Sequence, residues 1–456
     1  MQRFTFLLVA LFLLSGMGFA QQRSAEEAAA LAAKFVNGQP ALRRAHRADQ
    51  SADQMRLAHT RQKATGNENA FYIFNRADQA GFIIVSADER TADEVLAYSE
   101  KGAFNMQTVN PNLRWWLERM QEEISSIPAD EPVAQAPKAQ QVDAIAPLLK
   151  NSNGQEIAWY QEAPYYNLCP MDQRDNTRCL TGCVATAASM IMYKWRWPVK
   201  GTGSSSYTWY DCLNDNCQKP SEYKTKILSA NYGETTYDWD NMLPSYQGKS
   251  YTTAQGNAVA TLMYHAGVAS EMQYGGDKTG GSGTLTDIMA YGLINYFGYK
   301  IDKFISMYAK NDYYYYGGDV PQGVTAQWEV TVEQIKAYFN ADLEAGRPII
   351  MGGEDSSSGG HEFVCDGRDT NGRFHINWGW EGDGNCYTAL TTLKPDGSTY
   401  RFNGGLDAII GLEPNKASEA VENTIAVPAA EKIMREGQIL IQRGGSTYSV
   451  LGQTIQ

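Results

Sequence analysis

Thr181-Gly182-Cys183-Val184-Ala185-Thr186-Ala187-Ala188-Ser189-Met190 is the stretch from which the rest of the chain can be read. A cysteine that follows a glycine and opens a run of small and apolar residues falls in the first turn of a buried helix. Free backbone N–H groups and the positive end of the helix dipole favour an anion there, so a thiolate forms most readily at that place. A nucleophilic cysteine also needs a base. Of the five histidines, His361 in Gly359-Gly360-His361-Glu362-Phe363-Val364 is the best placed.

The residues after His361 supply the geometry. His361 to Asp366 reads as a strand, Gly367 to Gly372 as a turn-rich loop, and Arg373-Phe374-His375-Ile376-Asn377-Trp378 as a second strand. Symmetric closure pairs 366 with 373 and so predicts His361 across from Trp378, with Asn377 as a neighbour. An amide oxygen accepting from one imidazole nitrogen fixes the tautomer in which the other takes a thiol proton. That is the orienting member of a nucleophile–base–orienter set. The indole of Trp378 would shield that bond from water. An oxyanion donor is found in Gln161, within Trp159-Tyr160-Gln161-Glu162-Ala163-Pro164-Tyr165, acting with the Cys183 backbone N–H. Singly, a strand histidine is more often structural and a loop glutamine more often incidental; the combination carries the reading.

Composition bounds the partners. With 456 residues the chain has room for two or three domains, and a net charge of −12 argues against nucleic acid, which wants a basic face. The 42 glycines and 27 tyrosines point to a loop- and strand-rich body rather than a helical bundle. Residues 1–20 have the secretory pattern: Arg3, an apolar run from Phe4 to Leu14, and Gly18-Phe19-Ala20 before Gln21. The run is shorter than the roughly 20 residues needed to span a bilayer, so no membrane span is expected. Seven cysteines in an oxidising compartment leave at least one unpaired. Cys169 with Cys179, Cys212 with Cys217, and Cys365 with Cys386 are plausible local pairs that leave Cys183 free, although spacing alone does not fix connectivity. No CxxC or HExxH spacing supports a metal site, and no cofactor is called for.

Before the catalytic stretch, Ser24-Ala25-Glu26-Glu27 caps an alanine-rich helix ending at Gly38. Ala70–Asn75 and Phe82–Ser86 form a hairpin. Asn110-Pro111 opens a helix in which Leu113, Trp116, Leu117, Met120 and Ile124 share a face until Pro128. From Pro128 to about Ala144 the chain is rich in Pro, Ala and Gln, an exposed linker suited to proteolytic nicking. Later, Pro198 ends the Cys183 helix, and the Tyr- and Gly-rich stretch to about Gly248 shows no clear periodicity. Ala254–Ala266 reads as a helix, Tyr274 to Gly283 as a mobile loop before a helix from about Thr286, and Thr331 caps a helix stopped by Gly346 and Pro348.

Taken together, Gln161 in its segment, Thr181 to Ala187, Pro198-Val199-Lys200-Gly201, the Tyr274–Ser282 loop, Gly360 to Val364 and His375-Ile376-Asn377-Trp378-Gly379-Trp380 resemble the streptopain family of secreted bacterial cysteine proteases. The resemblance implies an α+β chain with a papain-like, two-lobed catalytic domain over 146–414. It implies Cys183 as nucleophile, His361 as base and acid, Gln161 as oxyanion amide, and Asn377 and Trp378 as supports of the imidazole. Ser282 and Gly360 would line the part of the cleft that takes a bulky apolar residue one position before the scissile residue. Phe71 to Asn75 and Gly81 to Asp88 look like the family's prodomain, which implies an α+β inhibitory prodomain over 21–145 that covers the cleft. The protein is then expected to take protein or peptide substrates and its own prodomain as partners. A papain-fold amidase or transglutaminase, or a catalytically silent binding protein, are the other readings of the same scaffold. Residues 415–456 form a linker and a short hairpin-like tail, similar to the C-terminal sorting segments of type IX secretion. Amino-terminal sequencing of the first exported form is expected to begin at Gln21; a start upstream of that position removes the signal-peptide reading.

Overall fold

Cys183–Trp195 is a helix in which every residue from Val184 to Tyr193 is buried. Gly182 caps it at φ 85°, and a Cβ there would meet the Met272 thioether 2.7 Å away. Both the backbone angle and the close approach call for glycine. Arg196, in the left-handed region, closes the helix two residues before Pro198. The computed structural model describes residues 22–39, 42, 51–128, 141–174, 176–214, 219–276, 281–310, 324–355, 359–391 and 406–416, and the backbone of four strands beyond them. The expected signal peptide, most of the linker, and residues 277–280 of the loop lie outside the described residues.

Six helices matter here: α1 Ala25–Gly38, α2 Pro111–Ser125, α3 Cys183–Trp195, α4 Thr253–Ala269, α5 Thr286–Asn295 and α6 Val332–Glu344. Ser24, Thr252 and Thr331 each form a capping box, with Glu27, Gln255 and Gln334 reaching back to the cap N–H. Eleven strands form one sheet: β1 Arg56–Gln62, β2 Asn69–Asn75, β3 Phe82–Ser86, β4 Val95–Tyr98, β5 Lys303–Ser306, β6 Thr325–Gln327, β7 Ile349–Asp355, β8 Gly359–Arg368, β9 Phe374–Asn377, β10 Cys386–Thr388 and β11 Leu406–Ile410. Their order is β1-β2-β3-β4-β10-β9-β8-β7-β11-β5-β6. The four amino-terminal strands therefore continue the sheet that carries His361, joined where Tyr98 pairs with Tyr387 and Ala97 with Thr388. At that seam the Tyr98 and Tyr387 rings stack 5.1 Å apart, and the Tyr98 hydroxyl donates to Asp369 at 3.2 Å. Residues up to Glu413 form one compact unit and those from Pro414 a second.

Two cores bracket the His361 strand. α3, α4 and α5 pack around one of them, including Trp159, Met190, Leu262 and Leu293. The other combines α2 and α6 with the sheet, through Trp116, Phe339, Phe363 and Trp378. Leu113, Trp116, Leu117, Met120 and Ile124 are all buried, as their spacing predicts, and so is Trp115.

Several expectations are corrected. The β8–β9 register pairs Val364 with Asn377 and Arg368 with Phe374, so His361 does not oppose Trp378. The loop closes over 369–373, and an irregularity between Cys365 and Gly367 adds a further shift; symmetric closure over a longer loop missed both. The stretch without clear periodicity contains a nine-rung hairpin, Ser204–Cys212 with Tyr223–Asn231. Most of its residues are exposed or half-buried, with Trp209, Asp211, Leu228 and Ala230 buried, so alternation is weak in the sequence. The tail has four strands, Glu431–Arg435, Gln438–Arg443, Ser446–Ser449 and Thr454–Ile455, in a meander rather than a single hairpin.

Two of the three suggested disulfides are also corrected, because Cys169, Cys179, Cys183, Cys365 and Cys386 are free thiols. Cys365 and Cys386 each pair with Ile376 from opposite sides. Two strand spacings, about 9–10 Å, exceed the roughly 7 Å that a disulfide spans. Cys169 lies against the Tyr274 hydroxyl, and burial pushes its thiol up to about 12. Cys212 is disulfide-bonded, and Cys217 lies outside the described residues. Alkylation of the denatured, unreduced protein is expected to label those five cysteines and spare Cys212; protection of Cys365 or Cys386 in the mass spectrum would contradict the register.

Candidate active site

Cys183 opens α3 and His361 lies near the start of β8, and both line one cavity of about 270 Å³. Val184, the 283–286 segment, Gly353, Gly360, Glu362 and Asp407 complete its wall. The resemblance asks for this juxtaposition of sulfur and imidazole, and it arises because α3 packs directly on β8.

The surroundings of the Cys183 thiol disfavour the thiolate. Burial pushes Cys183 up to about 11 and the Glu362 carboxylate adds to the rise, against backbone N–H hydrogen bonds from Glu362, Val184 and Cys183 itself. The helix start offers the donors that a thiolate needs, but loss of water and a neighbouring negative charge outweigh them.

The imidazole is held by an unexpected residue. Asn112, from the first turn of α2 and buried, lies 2.9 Å from His361 Nδ1 through its Oδ1. Its Nδ2 donates to the Glu362 carbonyl at 3.2 Å and the Trp378 carbonyl at 2.8 Å. Carbonyls only accept, so the amide orientation is set: Oδ1 is the acceptor and His361 Nδ1 carries the hydrogen. Trp115 packs beside the same imidazole, ring centroids 5.7 Å apart. Asn110 caps α2 by accepting from Leu113 N–H, and it donates to Asp383 O at 2.9 Å, which seats the helix start on the catalytic region.

Asn377 therefore does not hold His361 here. Its amide donates to Ile157 O at 2.9 Å and accepts from Gly379 N–H at 3.1 Å. The Trp378 indole is buried and donates to Gly384 O at 2.8 Å, packed against Phe363 and Trp116. Gln161 is buried, and its carbonyl accepts from Thr181 N–H, two residues before the nucleophile position. The Ser282 hydroxyl donates to Leu180 O at 2.7 Å and accepts from Gly275 N–H. The Ser282 hydroxyl thus joins its own loop to the segment before Cys183, and residues 283–286, with Gly360, line the cavity. The sequence reading missed Asn112, Glu362, Asp407 and Thr286. Asn112 stands beside Arg114 in a first turn of mixed polarity, so no pattern in the sequence singles it out.

The pattern of the peptidase C10 family matches residues 159–387. The chain belongs to the peptidase C10 family. It is a cysteine-type endopeptidase with an α+β, papain-like fold, preceded by a region matching the Spi protease inhibitor over residues 20–124. Streptopain of Streptococcus pyogenes is 28% identical over 88% of this chain and 96% of its own length. The thiol protease/hemagglutinin PrtT of Porphyromonas gingivalis is 30% identical over 83% of this chain, which spans 40% of that relative's length. Among solved structures, a prointerpain A fragment of Prevotella intermedia aligns with a TM-score of 0.59 and 34% identity, covering 78% of this chain and 98% of the fragment. Among the described residues no helix is long and apolar enough to cross a membrane.

The raised thiol has a measurable consequence in the full-length protein. The iodoacetamide reaction rate at Cys183, read by mass spectrometry in short pulses, should climb about tenfold per pH unit from pH 7 towards about 11, because only the thiolate reacts. A rate already level below pH 8 would mean that the thiolate is present before maturation.

Proposed function

We propose that Cys183 attacks a substrate peptide carbonyl once the amino-terminal region is removed, with His361 first taking the thiol proton and then giving it to the leaving amine. Water then releases the acyl group from Cys183, with His361 as base. Gln161 and the Cys183 backbone N–H receive the developing oxyanion. Asn377 and Trp378 support the imidazole in the matured enzyme, and Gly360 with the segment after Ser282 lines the substrate cleft. The observation that carries this reading is that Cys183 and His361, distant in the chain, wall one cavity.

The amino-terminal region then works as an intramolecular inhibitor by two linked contacts. Asn112 engages His361 Nδ1 and the backbone carbonyls of Glu362 and Trp378 beside it, while β4 extends the sheet along β10. Nicking between about 128 and 145 separates the two parts. With Asn112 gone, the imidazole is released to pair with the thiol, and an imidazolium partner lowers the thiol's pKa. A signal peptide over 1–20 and export directed by the 415–456 tail complete the proposal.

The expected outcome for Cys183→Ala is loss of both casein hydrolysis and self-processing, so that full-length protein accumulates; maturation of that variant alone would point to another nucleophile. Gln161→Ala should lower kcat by about 10²–10³ with the chain still maturing slowly, the usual loss for one oxyanion donor. Unchanged kcat would remove Gln161 from the mechanism.

A further inference from the structure

Loss of the amino-terminal region, as proposed above, leaves β10 as a sheet edge. β4 occupies that edge with Tyr98 opposite Tyr387 and Ala97 opposite Thr388, and Ala389 N–H donates to Leu96 O at 3.0 Å. Just before β9, Arg373 sends both Nε and Nη2 to the Val95 carbonyl, at 3.0 and 2.9 Å. The catalytic part thus grips one main-chain carbonyl with a two-pronged guanidinium. It also takes one aromatic ring on the face of Tyr387, 5.1 Å away and 16° from parallel.

The groups that support these two features lie on the catalytic side. The Tyr387 ring rests on His375, centroids 4.9 Å apart. His375 Nδ1 lies 2.6 Å from Asp366 Oδ1, and the other oxygen of Asp366 accepts from Leu149 N–H at 2.9 Å. Arg373 is held by Asp369, which accepts its backbone N–H at 2.9 Å and faces its Nη1 at 3.5 Å. None of these supports comes from the amino-terminal region, so the place is built without β4. An open edge is a template for another strand unless charge or proline blunts it. Cys386-Tyr387-Thr388-Ala389 carries neither.

We propose that the β10 edge of the matured enzyme docks an extended segment of a protein substrate, with an aromatic side chain on Tyr387 and the main-chain carbonyl three residues earlier on Arg373. β4 is the template, since Tyr98 and Val95 O stand in those two places. Main-chain pairing supplies attachment without regard to sequence, and the aromatic ring supplies selection. A three-residue strand gives few rungs, which suits a transient docked segment better than a subunit interface. Tyr387 shares a rung with His375 and Gly367. A strand docked there lies three strand spacings across and six residues along from His361, roughly 24 Å in all. About eight extended residues span that distance, so a protein substrate holds both places at once and a very short peptide cannot. The inference rests on the proposed maturation and cleavage at Cys183, and gives the same substrate a second place of contact.

The test uses enzyme matured from the full-length chain and fluorogenic peptides that share one cleavable core. One set carries the Val95-Leu96-Ala97-Tyr98 sequence at either end of the core, beyond a Gly-Ser spacer of about twelve residues. A control set has glycine in place of that tyrosine, and a third peptide is the core alone. The tyrosine-bearing segment should lower KM about tenfold at unchanged kcat, through the raised local concentration of a tethered substrate. Arg373→Met and Tyr387→Ala should each cut that gain below about twofold while the core peptide is cleaved as before. Equal KM for the tyrosine and glycine sets at both ends overturns the inference, and so does a gain that survives both substitutions. A matured enzyme that sediments as a dimer, with Tyr387→Ala a monomer, also overturns it, because the edge then belongs to a second copy. If a variant fails to fold, the tyrosine–glycine comparison on the unaltered enzyme still decides. Active-site titration and casein hydrolysis on the same preparation separate the two levels. Cleaved casein and core peptide with no tyrosine gain sink only this inference, whereas a titratable Cys183 that leaves both uncut sinks the endopeptidase reading with it.

Discussion

One carboxamide ties the His361 imidazole to the amino-terminal region. The Asn112 side chain joins three places that the chain brings together from far apart: the His361 imidazole, the Glu362 carbonyl and the Trp378 carbonyl. Because both amide hydrogens and the oxygen are used, and the residue is buried, leaving any of these partners unpaired would cost about 1–3 kcal/mol. The geometry of α2 follows from that requirement. Pro111 starts the helix, Asn110 caps it and ties it to Asp383, and Trp115 and Trp116 fill the space beside His361 and Phe363. The joined sheet holds the helix in register through the Tyr98–Tyr387 stack and the Ser99 hydroxyl on Asn385 O. The contact on His361 and the contacts that seat α2 thus belong to one network.

The nucleophile illustrates how local and tertiary effects compete. A helix start beside glycine favours an anion, and three backbone N–H groups do point at the Cys183 sulfur. Burial and the Glu362 carboxylate nevertheless raise the thiol to about 11. In the proposed matured enzyme an imidazolium partner supplies the counter-charge that favours the thiolate.

Legibility followed the range of the interactions. Helices declared by caps and spacing were readable: Ser24 with Glu27, Pro111 with its apolar face, Thr331 with Gln334, and Gly182 before Cys183 each appear at or near their expected place. The β8–β9 register was missed because it depends on an irregularity near Asp366 that no spacing announces. The Cys365–Cys386 pairing failed for a related reason, since nearness in the chain does not reveal that Ile376 runs between them.

By itself the sequence determined the α+β class, the Cys183 helix, the inhibitory amino-terminal region and the family, because these rest on short-range patterns and a set of motifs in order. Only the tertiary structure decided which amide meets the imidazole, Asn112 in place of Asn377, and that the Thr286 hydroxyl lies between Glu362 and Asp407. Those outcomes are set by which strands and helices lie side by side. A chain read in one dimension carries no measure of that distance.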